Sequence, residues 1–164
     1  MSKKSLLRVF ATLFLFAFTL SVLVACGGMV PLDVDKIAIK IADGKAEVIL
    51  LDANGKTEEI YKGEISGDNL AEFLRSLNAK GVLEVKSSTS GYGEYFTSVG
   101  TLSQDDDNGV YLYFYTNLDD YKDFTDYALT VDYDGTTLTS AFYSASDLPL
   151  SDGAIYLIGL ISFT

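Results

Sequence analysis

An α+β domain, with one main helix packed on a mixed β-sheet, is predicted by three observations. Apolar residues recur at i, i+3, i+4 and i+7 over Leu70, Phe73, Leu74 and Leu77, the spacing of one helix face. Short alternating or β-branched and aromatic runs lie on both sides of that stretch. Loops rich in Asp, Gly and Ser separate the runs, as hairpin connections do.

The N-terminus does not belong to that domain. Lys3, Lys4 and Arg8 precede an uncharged run from Val9 to Ala25, the order of charge and hydropathy found in export signals. The run ends in Leu23-Val24-Ala25-Cys26, which resembles the lipobox of bacterial lipoproteins, where the Cys sulfur is acylated before cleavage on its N-terminal side. Seventeen uncharged residues are at the lower edge of a bilayer-spanning helix, and an uncleaved anchor would have no use for this tetrapeptide. The expected organisation is therefore a lipoprotein signal peptide at 1–25, a lipidated tether at 26–34 beginning with Cys26, and a single domain at 35–164. The expected location is extracytoplasmic, lipid-anchored to the bacterial cell membrane. Cys26 is the only cysteine, so no intrachain disulfide can form and stability must come from the core.

Removing residues 1–25 leaves nine basic against 23 acidic residues, a formal charge of −14. Such a field repels nucleic acid and anionic lipid headgroups alike, so a membrane partner has to be reached through the attached lipid.

Along the domain, Ile37, Ile39 and Ile41 alternate with Ala38 and Lys40, Asp43-Gly44 supplies a tight turn, and Val48 to Leu51 resumes an apolar run. Asn54-Gly55 repeats the turn signal before a short segment at Ile60 to Ile65. The helix is expected between Ser66 and Gly81, with Asp68 as N-cap and Gly81 just past the end. Six further strands are expected at Val82–Lys86, Glu94–Val99, Val110–Thr116, Tyr127–Tyr133, Thr137–Tyr143 and Ala154–Ile161. The last segment is apolar on both faces, which suits a central strand under the helix. One helix across a curled sheet with hairpins before and after it is a β-grasp-like arrangement.

Three short motifs bear on family. They are the Tyr-Gly-x-Tyr-Phe-x-Ser-Val segment ending at Val99, the aromatic strand from Tyr111 to Asn117, and Leu148-Pro149-Leu150-Ser151-Asp152-Gly153-Ala154-Ile155-Tyr156. Together with the preceding helix they resemble the DUF4430 family, the transcobalamin-like C-terminal domain of many bacterial lipoproteins. That resemblance implies a β-grasp-like domain related to one whose loops close over a corrinoid. It also brings Asn117, at the end of the aromatic strand, into the candidate binding set.

The chain contains no His and no Trp, and its only Cys is the lipidation candidate. A Ser-His-Asp triad, a thiol nucleophile and a His-containing zinc site are thereby excluded within one chain, and no Gly-rich phosphate loop is present. Paired carboxylates alone remain, and with this many acids any pair is expected by chance, so the chain is expected not to be an enzyme, with no metal and no resident cofactor. The run Asp105-Asp106-Asp107-Asn108-Gly109 has the oxygens calcium prefers. Framing Gly109 as the sixth loop residue puts Tyr115 at the twelfth, where calcium needs a bidentate Glu, so a solvated hairpin turn is expected instead. A second acidic group, Asp119, Asp120, Asp123 and Asp126, is interleaved with Tyr121 and Phe124, which are expected to pin a solvent-facing loop.

Strand periodicity puts Tyr111, Tyr113 and Tyr115 on one face and Leu112 and Phe114 on the other. With Tyr92 and Tyr95 from a neighbouring segment, the tyrosines would make a platform for a planar ring, a sugar or a peptide. The same tyrosines would equally serve as packing beneath other strands. Two functions follow as expectations. One is a non-enzymatic binding module that captures a small ligand, with a corrinoid as the one the resemblance implies, for a membrane transporter. The alternative is a surface module for protein–protein or polymer interaction and adhesion.

Overall fold

The computed structural model describes residues 28–90 and 93–163, so the expected signal segment, Cys26 and Tyr92 lie outside the described residues. Strands β1 (Met29–Pro31), β2 (Lys36–Ala42), β3 (Lys45–Leu51) and β4 (Thr57–Glu64) come first. Asp43 and Gly44 both have positive φ, 52° and 71°, the pair of left-handed residues that a two-residue hairpin with native twist requires. The isoleucines of β2 alternate as their spacing predicts, with Ile37, Ile39 and Ile41 all buried in the main core. Part of the expected tether is itself a strand, because β1 pairs with the end of the chain, Met29 opposite Phe163 and Pro31 opposite Ile161.

Helix α1 (Leu70–Ala79) is shorter than the periodic stretch suggests, and its N-cap is Asn69 rather than Asp68. The Glu72 N–H donates to the Asn69 side chain at 3.0 Å, while the Asp68 N–H donates to the Glu72 carboxylate at 2.9 Å. These reciprocal bonds satisfy the first orphan donors and stop the helix from extending backwards. At the other end Gly81, at φ 69°, lets its own N–H reach Asn78 O and that of Val82 reach Leu77 O. That is a Schellman stop, and it delays the next strand to Val85.

Strands β5 (Val85–Ser90), β6 (Gly93–Val99) and β7 (Leu102–Ser103) form a small antiparallel sheet of their own. The main sheet is completed by β8 (Val110–Thr116), β9 (Thr130–Tyr133), β10 (Thr136–Ser140) and β11 (Ile155–Phe163), in the order β4-β3-β2-β11-β8-β10-β9, with β1 also on β11. The expected central position of the last strand is correct. Every ladder among the described residues is antiparallel, which corrects the expectation of a mixed sheet. The cause is the path of residues 141–154. This segment crosses the start of α1, where Leu70 and Ala71 N–H groups donate to Leu148 and Ala145 carbonyls, and enters β11 beside Ile41 at the far end of β2. A strand entering there can only run against β2.

The expected runs Tyr127–Tyr133 and Thr137–Tyr143 are also trimmed. The Ala128 N–H closes a turn onto Thr125 O, and the Phe142 N–H bonds Tyr121 O instead of β9. Among the described residues no helix is long and apolar enough to cross a membrane.

Two cores result. The larger lies between the main sheet, α1 and the small sheet, and is filled by Ile37, Ile39, Phe73, Leu74, Leu77 and Tyr156 among others. The smaller lies on the opposite face, where Ala38, Tyr115, Leu138 and Leu157 are buried together.

Candidate functional site

The two faces of β8 separate as the two-residue period demands. Leu112 and Phe114 pack against the main core, and Tyr113 and Tyr115 against the smaller one. The sheet coils so far that the β9–β10 hairpin lies back across β11 and β2, placing Val131, Tyr133 and Leu138 against these tyrosines. Its tip is fastened by Lys40, whose ammonium donates to Asp134 at 2.6 Å and lies 5.3 Å from the centre of the Tyr133 ring. The Asp134 hydrogen bond holds the lysine above its ordinary pKa and the carboxylate below its own.

Tyr115 is consequently only 3% exposed, with its ring edge-on to Tyr113 at 5.7 Å. Its hydroxyl is buried with no hydrogen-bond partner, and desolvation pushes the phenol up to about 12. The structure therefore does not bring the tyrosines onto one open platform: Tyr113 and Tyr115 pack beneath the hairpin.

Tyr111 and Tyr95 do come together. They line a cleft of about 210 Å³ at the seam between β6 and β8, with Phe96, Leu112, Phe114 and Ala145 as its apolar walls. Phe96 and Phe114 meet edge-on at 6.3 Å and form its floor-side contact with the core. Tyr95 is 44% exposed, so part of its side chain is accessible to solvent at the cleft. Glu94, Gln104 and Ser144 supply polar groups at the cleft. Glu94 is fixed by Ser87, whose hydroxyl donates to it at 2.7 Å, and by an ion pair with Arg75 of α1. Both interactions lower its pKa, so the carboxylate is charged at neutral pH. The cleft thus has the general form of a small-ligand site, mostly apolar with a few fixed polar groups.

Comparison with family models, curated proteins and solved structures finds no match to this chain. The geometry alone must then carry the functional reading.

The remaining candidate, Asn117, is occupied. Its side-chain amide donates to Gly153 O at 2.9 Å, and its side-chain carbonyl accepts the Ile155 N–H at 2.8 Å. It ties the end of β8 to the start of β11. Asn117→Ala is expected to lower stability by about 1–3 kcal/mol, since it leaves a half-buried N–H unpaired. Thermal melting checks this; an unchanged melting temperature together with weakened ligand binding would reassign Asn117 to the site.

The Asp105 loop is a single 3-10 turn, Asp106–Asn108, in which the Asp105 carboxylate accepts from both the backbone and the side-chain amide of Asn108. These bonds hold the Asp105 carboxyl below its usual pKa. Among the described residues no three carboxylate, His or Cys groups converge as metal ligands would.

Sequence reasoning did not include Phe96, Gln104, Ser144 or Ala145 in the site. Phe96 alternates with Tyr95 on a recognised strand and was legible as core, whereas Ser144 and Ala145 arrive from a loop with no local signal.

Proposed function

We propose that this chain is an extracytoplasmic lipoprotein of the DUF4430-like, β-grasp-like kind, held by a lipid on Cys26, that binds a small ring-shaped ligand for delivery to a membrane transporter. The observation that carries the binding role is the β6–β8 cleft, where Tyr95 and Tyr111 flank an apolar slot with Glu94, Gln104 and Ser144 beside it. The order of elements agrees with the fold reading in that a hairpin precedes the helix and the last strand lies beside the first strand of that hairpin, but β11 runs antiparallel to β2, which a mixed β-grasp sheet would not have. The residue inventory supports binding over catalysis, since no His and no thiol beyond Cys26 is present.

A slot of about 210 Å³ suits one aromatic, heterocyclic or sugar ring. A corrinoid, named by the family resemblance, would have to lie across its rim. Lipid attachment supports delivery, because confining a receptor beside a permease raises the effective concentration of its cargo there.

The test is binding of the full chain in detergent to a panel of nucleobases, monosaccharides, aromatic vitamins and cobalamin. Tyr95→Ala is expected to weaken binding of the accepted ligand about three- to tenfold, the worth of one ring–ring contact. Because Tyr95 is largely exposed, its melting temperature should barely move. Equal affinity in Tyr95→Ala and the parent, or no binding across the panel, would overturn the cleft as the site. Cys26→Ser is expected to block acylation and with it cleavage, so the variant should keep residues 1–25 and carry no lipid mass; a variant cleaved like the parent would remove the lipid.

A further inference from the structure

The loop from Leu118 to Leu129 does not behave as its composition suggests. Tyr121 packs inward against the main core, but Phe124 is 81% exposed. It is not loose in solvent: its ring stacks on Phe142 at 4.8 Å with the planes tilted by 31°, and Phe142 meets Tyr143 edge-on at 5.4 Å. Tyr143 in turn contacts Tyr121 at 5.7 Å, which roots the row in the domain. The backbone beneath is hydrogen-bonded, with the Asp123 N–H donating to Ser140 O at 2.7 Å and the Phe142 N–H to Tyr121 O at 3.0 Å. Phe142 and Tyr143 are themselves 50% and 45% exposed. A contiguous ledge of aromatic rings, presented on paired backbone and left open to water, is what an interaction surface looks like in the absence of its partner.

Charge decides what that partner is. Lys122, the basic residue of the loop, already pairs with Asp119 at 2.7 Å. Asp120, Asp123 and Asp126 have no cation within ion-pair distance among the described residues. A second copy of the chain would bring the same acids face to face, and an anionic membrane would be repelled as well. Cations, by contrast, are attracted both to carboxylates and to the faces of aromatic rings.

We propose that the ledge of Phe124, Phe142 and Tyr143 is a docking surface for a basic polypeptide segment, one that lays arginine or lysine side chains over the rings while the exposed Asp120 and Asp126 take up their charges. The cleft between β6 and β8 plays no part, so this surface and the ligand site can fail or stand separately.

The experiment measures binding of a labelled octa-arginine peptide to the full chain in detergent, with octa-glutamate and a cello-oligosaccharide as comparisons. The expected result is binding of octa-arginine alone. Combining Phe124→Ala with Phe142→Ala should weaken it about tenfold at unchanged net charge. Phe124→Ser alone, at the most exposed ring, should give a smaller loss with the same melting temperature as the parent, which guards against a folding defect. Asp120→Asn with Asp126→Asn should flatten the salt dependence, and Tyr95→Ala should bind like the parent. Equal affinity in the double aromatic variant would reduce the attraction to bulk charge and overturn the docking surface. So would preference for the oligosaccharide, or a parent dimer that the double aromatic variant abolishes.

Discussion

Phe73→Ala is expected to destabilise the domain by about 3–5 kcal/mol, the usual cost of emptying a large aromatic site in a packed core. Phe73 is fully buried on the inner face of α1, edge-on to Tyr61 at 6.1 Å, within the cluster that joins helix, main sheet and small sheet. No rearrangement of one element can close the space, because three layers meet there. Domains of this size are stable by about 5–15 kcal/mol, so the variant should stand near the edge of folding. The expected fall in melting temperature is about 10 °C or more, read by calorimetry or by the urea midpoint. Phe124→Ala is the matched control: the same atoms leave an 81% exposed site, and the change should stay within about 0.5 kcal/mol. A loss below 1 kcal/mol at Phe73 would mean that α1 does not cross the sheet as described.

The second large effect is alkaline. Burial raises the Tyr115 phenol from 10.0 to about 12, and raises Tyr156, whose hydroxyl donates to Pro149 O, further still. Below pH 10 both phenols are neutral whether the chain is folded or not, so their burial is then insensitive to pH. Above pH 10 the unfolded chain ionises them while the folded one cannot, so stability falls as pH rises. For Tyr115 alone the loss between pH 10 and 12 is about 2 kcal/mol. Urea midpoints at pH 8, 10 and 11.5 should fall over the last interval, in step with the appearance of tyrosinate absorbance. Tyr115→Phe is expected to remove part of that dependence. It should also raise stability near neutral pH by about 1 kcal/mol, because it deletes a buried hydroxyl that has no partner. A Tyr115→Phe variant whose urea midpoint falls with pH as steeply as the parent's, and is no higher at pH 8, would contradict the burial.

How much of this was readable from residues alone depends on the distance over which each feature is decided. The Asp43-Gly44 turn, the presence of the helix with its apolar face, and the alternation of Ile37, Ile39 and Ile41 depend on neighbours a few positions apart and stand as predicted, while the helix start and its cap moved from Asp68 to Asn69. The central place of β11 was legible too, since a strand with no polar face has to be covered on both sides. Strand direction was not. It follows from where residues 141–154 cross the start of α1, a contact made between segments some seventy residues apart.

The candidate site failed and succeeded on the same ground. Periodicity correctly set Tyr113 and Tyr115 apart from Leu112 and Phe114, but Tyr111, expected with the other tyrosines, lines the cleft beside Leu112 and Phe114. It could not reveal that a hairpin fastened by Lys40 to Asp134, 94 positions away, would come to lie over Tyr113 and Tyr115. Nor could it show Phe124 meeting Phe142, since both sit in segments without a regular pattern.

The pairing of β1 with the last residues of β11 has a bearing on posture. Only Gly27 and Gly28 separate Cys26 from Met29, a span of about 10 Å even when fully stretched. With an acyl chain on Cys26, that reach would keep the β1 end of the domain within about 10 Å of the bilayer surface. The Asp43-Gly44 corner lies at the opposite end of the nine-residue β11, about 25–30 Å away along the sheet. Tyr111, whose ring contacts Phe163 at 5.4 Å, would put the β6–β8 cleft near that same lipid-proximal end of the sheet.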